Sequence, residues 1–224
     1  MTGFTGFGPK ALAFFTALKF HQDKAWFEEN RALYQSDVIE PMVALLDDLT
    51  EAFAAKKIPL KAEGKRSIFR IHRDVRFARD KTPYKTHCGA TLTRFGGKLD
   101  QGLIYLHIDP EGCFMAAGFH MLEPAQLAKV RQAIAKRPAK LQAMEKALAK
   151  GKLALTNEFQ ISRVPRGFET LKGGPLDGVI RLKSFLVEEP MSEAEIKSPK
   201  LTGRIVDFTQ RAMPLLAFGW SALD

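Results

Sequence analysis

Apolar residues in the first third of the chain recur every three or four positions, which is the spacing of one face of a helix. Pro9 suits the first position of a helix, and Asp23 is a suitable N-cap for the next one. Ser36 or Asp37 is expected to begin a third helix ahead of Pro41. The apolar stripes of these predicted helices are Phe14, Phe15 and Leu18; Trp26, Phe27, Leu33 and Tyr34; and Met42, Leu45, Leu46, Leu49 and Phe53.

The middle of the chain carries short apolar runs separated by turn residues, a pattern that is typical of β-strands. The predicted strands are Ser67–Phe77, Thr86–Phe95, Gly102–Ile108 and Cys113–His120. Their connections are short, and short connections join neighbouring antiparallel strands, whereas parallel strands need long crossovers. We therefore expect an antiparallel meander in this part of the chain.

Helical periodicity returns after Pro124, with a predicted break at Pro138 and an end at Gly151. Residues 157–186 carry loop signals and are predicted to be irregular, and a last helix is predicted over Thr202–Leu216. Because we see no internal repeat and no long linker, we expect one α+β domain over residues 1–224. In it, a central, mainly antiparallel sheet is packed with N-terminal, middle and C-terminal helices.

Composition excludes several classes of protein. The chain is 46% hydrophobic and 26% charged, as is ordinary for a globular protein. Its longest apolar run near the start, Ala11–Leu18, is shorter than the ~20 residues of a membrane span. Cys88 and Cys113 lie in strand-like runs, where we expect buried thiols rather than a disulfide. With no signal-peptide pattern, these features predict a cytoplasmic protein with no membrane partner.

The net charge of +9 is concentrated in two segments. Residues 64–87 hold eight basic and two acidic residues, and residues 125–152 hold eight basic residues and one acidic residue. Two basic segments on an otherwise mildly acidic chain indicate an anionic partner, although lysines on a helix face can also serve solubility alone.

The first basic segment has an ordered arrangement. Strand alternation places Phe69, Ile71, Val75 and Phe77 on a core face, and Arg70, His72, Asp74 and Arg76 on the opposite face. Arg73 falls on the core-facing row, so its guanidinium needs a partner, for which Asp80 and Glu28 are the candidates. Asp80 and Pro83 predict a stiff turn beyond the strand.

Arginine and lysine on a rigid frame can hold a phosphate or carboxylate group. We therefore expect an anionic ligand here, either a phosphate-bearing small molecule or nucleic acid. The candidate ligand-binding residues are Arg70, Asp74, Arg76, Lys81, Tyr84 and Lys85. Two alternatives stay open. One is a hydrolase-type enzyme on a phosphorylated substrate that uses His72, Asp74 or Tyr84. The other is a structural or interaction protein whose charges pair only with each other, as Arg76 with Asp74 and Arg73 with Asp80.

Cofactor and metal chemistry finds little support in the sequence. Four of the five histidines lie on candidate strands, but no His-x-x-x-His or Cys-x-x-Cys spacing occurs, and His72 shares its predicted face with arginines. We therefore predict no cofactor and no metal site. A nucleic-acid surface would need exposed rings beside the cations, and Tyr84 is the ring expected to be exposed, because Phe69 and Phe77 are assigned to the core.

Four motifs carry a resemblance to a known family. They are Asp23-Lys24-Ala25-Trp26-Phe27 with Tyr34 and Pro41; Arg73-Asp74-Val75-Arg76-Phe77; Asp80-Lys81-Thr82-Pro83-Tyr84-Lys85-Thr86; and Val164-Pro165-Arg166-Gly167-Phe168. Over about residues 14–185, the chain resembles the family called domain of unknown function 2461. The resemblance implies a soluble, single-domain protein and brings no assigned catalytic residues.

Overall fold

The computed structural model describes residues 3–224; Met1 and Thr2, which the single-domain prediction included, lie outside the described residues. The predicted α+β class is confirmed, because helices pack on a four-stranded antiparallel sheet. The strands, in both chain and spatial order, are β1 Cys88–Leu92, β2 Leu103–Ile108, β3 Cys113–Phe119 and β4 Phe185–Met191.

The N-terminal region is helical, as predicted. Its helices are α1 Pro9–Phe20, α2 Lys24–Glu29, α3 Arg31–Tyr34 and α4 Glu40–Ala55. Asp23 caps α2, since its Oδ1 accepts the Trp26 N–H at 2.9 Å. The predicted restart at Ser36 or Asp37 is wrong, because a π-helical turn over Gln35–Ile39 joins α3 directly to α4. Pro41 lacks an N–H donor and lies immediately after this turn, where helical hydrogen bonding is already irregular.

Three of the remaining helices lie between β3 and β4 in the chain, and two follow β4. They are α5 Pro124–Lys136, α6 Pro138–Lys150, α7 Asp177–Ile180, α8 Glu193–Ile196 and α9 Leu201–Leu223. The break at Pro138 and the end at Gly151 are confirmed. The last helix is longer than predicted and contains Pro214. Among the described residues, no helix combines the length and apolar character that a membrane crossing requires.

The prediction of a strand over Ser67–Phe77 is wrong. This segment pairs with the chain around β1 only through single bridges, Ile68 with Ala90 and His72 with Tyr84. Side chains satisfy much of the remaining backbone, and such local bonds compete with a strand ladder. Asp74 accepts the Arg76 N–H, for example, at 3.3 Å.

The prediction of an irregular segment over residues 157–186 missed the start of β4. This strand carries Glu188, Glu189 and Pro190, which sequence patterns disfavour in a strand. It lies at the edge of the sheet, where a missing backbone donor is tolerated because one side has no neighbouring strand.

Backbone contacts divide the chain into two compact units. One unit comprises residues 3–100, Tyr105–Met115 and Glu189–Asp207, and its core includes Phe15, Leu46 and Phe53. The other comprises Gln101–Ile104, Ala116–Glu188 and Phe208–Asp224, and its core includes the rings of Phe119 and Phe208. The prediction of a single domain stays a prediction.

Alternation along β2 positions the site described below. Ile104, Leu106 and Ile108 are fully buried, whereas Tyr105 and His107 on the opposite face are half-buried. Tyr105 and His107 therefore lie on the same, partly exposed face of the sheet.

Candidate functional site

The segment 68–90 folds back on itself as an irregular hairpin. The Phe69 N–H donates to the Gly89 carbonyl, the Lys85 N–H to the Ile71 carbonyl, and the Arg73 N–H to the Pro83 carbonyl, each at 2.8 Å. These bonds set residues 68–73 beside residues 83–90. The basic residues and the turn predicted from the sequence are thereby fixed along one loop.

Arg73 and Asp80 hold the tip of this hairpin. The Arg73 guanidinium donates to the Asp80 carboxylate and to the Thr82 hydroxyl, which confirms Asp80 as its partner. Asp80 Oδ1 also accepts the Thr82 N–H at 2.9 Å, the bond two residues on that the turn predicts. The Thr82 backbone bond and then the Arg73 side chain lower the pKa of Asp80 to about 2. Glu28 is held instead by Arg31, at 2.5 Å.

Three of the predicted ligand-binding residues bond within the same loop. Arg76 makes a bidentate pair with Asp74, at 2.9 and 2.7 Å. Lys81 Nζ donates to the Val75 carbonyl at 2.9 Å and reaches the Arg76 carbonyl at 3.4 Å. These bonds order the tip, and a ligand there would have to compete with them.

Tyr84 is not presented at the turn, so that expectation is wrong. The residue is 4% exposed, and its ring stacks on Phe27 with centroids 4.5 Å apart. His72 lies beside the same ring, at a centroid distance of 5.2 Å. The stiff turn at Asp80 and Pro83 predicted an exposed Tyr84, but an aromatic pocket between the N-terminal helices and the hairpin accepts its side chain.

Phe77 was assigned to the core, and that assignment is also wrong. Its side chain is 95% exposed, and the Arg76 guanidinium lies over its ring at 5.9 Å from the centroid. Phe95 is 70% exposed beneath Arg94, at 5.2 Å. Neither ring is covered, because each lies in a loop beyond the regular strands, where alternation no longer assigns a face.

Two lysines lie over the Phe69 ring and a third cation, Arg70, is the next residue along the chain; we call Arg70, Lys85 and Lys98 the cation cluster. The ammonium groups of Lys85 and Lys98 lie 5.5 and 5.4 Å from the centroid of the Phe69 ring. Lys98 also donates to the Ile68 carbonyl at 2.5 Å. Burial, followed by the charges of Arg70 and Lys98, lowers the pKa of Lys85, and burial lowers the pKa of Lys98.

The cation cluster has no ion-pair partner among the described carboxylates. Within residues 3–224, no carboxylate lies within 4.0 Å of any of these three side chains. Two of its members, Arg70 and Lys85, were predicted ligand-binding residues. Lys98 was missed, because nothing local in its sequence shows that the loop after β1 returns to Phe69.

Lys85 also lines an open cleft with a volume of ≈ 610 Å³. The lining residues are Lys19, Gln22, Arg73, Asp74, Asp80, Thr82, Tyr84, Lys85, Thr86 and His87. Lys19 is paired with Glu111 and Arg73 with Asp80, so Lys85 is the cation on this lining that no described carboxylate neutralises. The volume lies within the range of small-molecule sites.

Next to the cleft, two histidines meet a carboxylate. His107 Nε2 lies 3.4 Å from Asp109 Oδ2, and His87 Nδ1 lies 3.9 Å from the same oxygen. Burial and the neighbouring His107 lower the pKa of His87 to about 4, and burial lowers the pKa of His107. Both imidazoles are therefore neutral at pH 7. Sequence reasoning did not group these residues, because the pairing of β1 with β2 brings them together.

Comparison with known proteins gives a single result. No curated protein and no solved structure matches the chain. A family model matches residues 10–218, which include all but the first residue of α1, the whole of α2 to α8, all four strands and every residue of the hairpin, the cation cluster and the cleft. The chain therefore belongs to the family described as conserved hypothetical protein (DUF2461).

Proposed function

We propose that the protein binds a phosphate-bearing anion at the cation cluster. The observation that carries this proposal is the position of Lys85 and Lys98 over one ring, close enough to Arg70 for its charge to act on Lys85, with no described carboxylate in an ion pair with any of the three. Like charges brought together in a half-buried place cost free energy, and a bound anion relieves that cost.

The three side chains suit a phosphate chemically. The Arg70 guanidinium can donate two parallel hydrogen bonds to phosphate oxygens, and the two ammonium groups act as point charges beside it. The partial burial of Lys85 and Lys98 reduces the screening by water and strengthens each contact. Since Lys85 also lines the ≈ 610 Å³ cleft, a ligand held by its phosphate can extend into that space.

Single-stranded nucleic acid is the source of phosphate that the exposed rings favour. Phe77 and Phe95 are largely exposed, and each carries an arginine over its face. Binders of single strands combine cations along the backbone with aromatic platforms on which bases stack. A small phosphorylated molecule would offer the same phosphate group to the cation cluster, but it would give no role to these two exposed rings.

The enzyme alternative receives less support from the geometry. Asp74 is held in a bidentate pair by Arg76, and Tyr84 is buried against Phe27. An acid or base must reach the proton that it transfers, and these two groups are engaged elsewhere. We also propose a cytoplasmic location, which the two buried free thiols, Cys88 and Cys113, support.

The test is binding of labelled single-stranded RNA and DNA by fluorescence polarisation at several salt concentrations, with duplex DNA, inorganic phosphate and ATP as separate arms. The variant is Lys85→Gln/Lys98→Gln, which keeps hydrogen-bond donors while removing two charges. The matched control is Lys56→Gln/Lys57→Gln, which removes two exposed charges that lie outside both basic segments. We expect the first variant to lower the slope of log affinity against log salt by about 2 and the control to leave it unchanged.

Each outcome decides something. If the Phe77→Ala/Phe95→Ala variant lost binding of single-stranded RNA and DNA but still bound inorganic phosphate, single-stranded nucleic acid would be identified as the ligand. Equal binding by the wild type and the Lys85→Gln/Lys98→Gln variant, equal losses in the two lysine variants, or no binding of any probe at low salt would each overturn the proposal.

A further inference from the structure

We propose that His87, His107 and Asp109 bind a divalent transition-metal ion. The antiparallel register of the sheet creates the site. His87 immediately precedes β1, and His107 and Asp109 lie at the end of β2, the neighbouring strand. The start of one strand lies beside the end of its antiparallel neighbour, so residues far apart in sequence become neighbours at this edge.

The distances suit a metal centre. One ligand atom from each of the three residues can be chosen so that all three lie within 4.8 Å of one another. His107 Nε2 and Asp109 Oδ2 are 3.4 Å apart. Two ligands about 2.1 Å from one ion in a tetrahedral site are separated by roughly 3.4 Å. His87 Nδ1 lies 3.9 Å from the same Asp109 oxygen, and the remaining separation is at most 4.8 Å, so shifts of up to about 1.4 Å, within reach of side-chain rotation, complete the site.

A second contact fixes the ring of His107. Its Nδ1 lies 2.9 Å from the Tyr105 hydroxyl, on the side of the ring opposite Asp109. A metal-bound histidine characteristically has its other nitrogen held in this way, which fixes the tautomer and the ring plane. When Nδ1 carries the proton and donates it to the hydroxyl oxygen, Nε2 presents its lone pair towards Asp109. Phe114, stacked on the ring at a centroid distance of 4.6 Å, restricts it further.

Two imidazoles and one carboxylate are the ligands that Zn²⁺, Co²⁺ and Fe²⁺ prefer, and three protein ligands leave further coordination positions free. His87 also lines the cleft, so a free position is reached from that side. The positive charge of Lys85 lies near His87 and disfavours a bound cation. The negative charge of Asp109 interacts with His87 more strongly than the charge of Lys85 does. The site needs no ligand at the cation cluster and does not depend on the proposed function.

The competing explanation is a hydrogen-bonded histidine–aspartate group that holds no ion. Titration of the EDTA-treated, dialysed protein with Co²⁺ and with Zn²⁺ separates the two. Visible absorption reports the cobalt coordination, and calorimetry reports the zinc stoichiometry. The variants are His87→Gln, His107→Gln and Asp109→Asn, with His120→Gln as the matched control, because His120 is an exposed histidine outside the cluster. Melting in EDTA checks that each variant folds.

We expect one ion per chain in the wild type and in the control, and at least a tenfold loss of affinity in each variant that folds. Tyr105→Phe keeps all three ligands and should weaken binding by about 10–100-fold through loss of the contact to His107. No cobalt absorption and no zinc heat would overturn the proposal. It would also be overturned if ion binding survived both His87→Gln and Asp109→Asn, or fell equally in His120→Gln.

Discussion

The imidazole rings of His87 and His107 lie with their centroids 4.4 Å apart and their planes inclined by 37°. Both side chains are largely covered, with 30% and 15% of their surfaces exposed. Burial and the second ring make a positive charge on His87 unfavourable and lower its pKa to about 4, whereas histidine in an unfolded chain titrates near 6.5. Folding therefore competes with protonation at this position.

The first prediction is a loss of stability in mild acid. Between pH 6.5 and 4 the unfolded chain binds a proton at His87 that the folded chain does not, so the free energy of unfolding decreases as the pH falls. After allowance for partial exposure, we expect the free energy of unfolding to fall by about 1–2 kcal/mol from pH 7 to pH 5. Urea unfolding in EDTA at these two pH values measures it. His87→Gln should flatten this dependence, and an unchanged slope in the variant would contradict the assignment.

The second prediction concerns the stack of Tyr84 on Phe27, whose ring planes are 19° apart. Tyr84→Phe keeps the stacked ring and should leave anion affinity within about twofold of wild type, because Tyr84 is not a member of the cation cluster. Tyr84→Ala should lower the free energy of unfolding by about 3–5 kcal/mol through loss of a buried ring. A large loss of affinity in Tyr84→Phe, with unchanged stability, would restore Tyr84 as a ligand-binding residue.

The third prediction concerns Gly118 in β3, which has a φ of +134° and lies against β4. A Cβ at this position would lie 2.0 Å from the Phe185 carbonyl oxygen, a rigid backbone atom. Gly118→Ala should therefore destabilise the fold by more than about 2 kcal/mol. Gly112→Ala is the control, since a Cβ there meets nothing within 4 Å. If the urea midpoints fell equally in both variants, the close approach of Gly118 to β4 would not be the cause of the lost stability.

The fourth prediction follows from the proposal that the chain forms one domain. A single domain unfolds cooperatively, so the calorimetric and van't Hoff enthalpies should agree. Fluorescence and far-ultraviolet circular dichroism should give the same midpoint in urea. Two resolved transitions would instead show that the two compact units unfold independently and would contradict the single-domain proposal.

Local chemistry in the sequence determined much of the fold. The N-cap at Asp23, the break at Pro138 and the three strands of the meander follow from side chains that act on their own stretch of backbone, so they could be predicted from the residues alone. The pairing of Arg73 with Asp80 was also foreseeable, because a short stiff turn separates the two residues.

Only the tertiary structure decided which side chains meet. Alternation placed Phe77 in a core, but it lies in a loop beyond the strands and is exposed. Tyr84 was expected to be exposed at the turn, but it packs on Phe27 of the N-terminal helices. Lys98 joins the cation cluster only after the chain has folded back on Phe69, and His87 meets His107 only through strand pairing. Periodicity reports the regular geometry of one segment, whereas these contacts depend on how distant segments pack together, which no local pattern encodes.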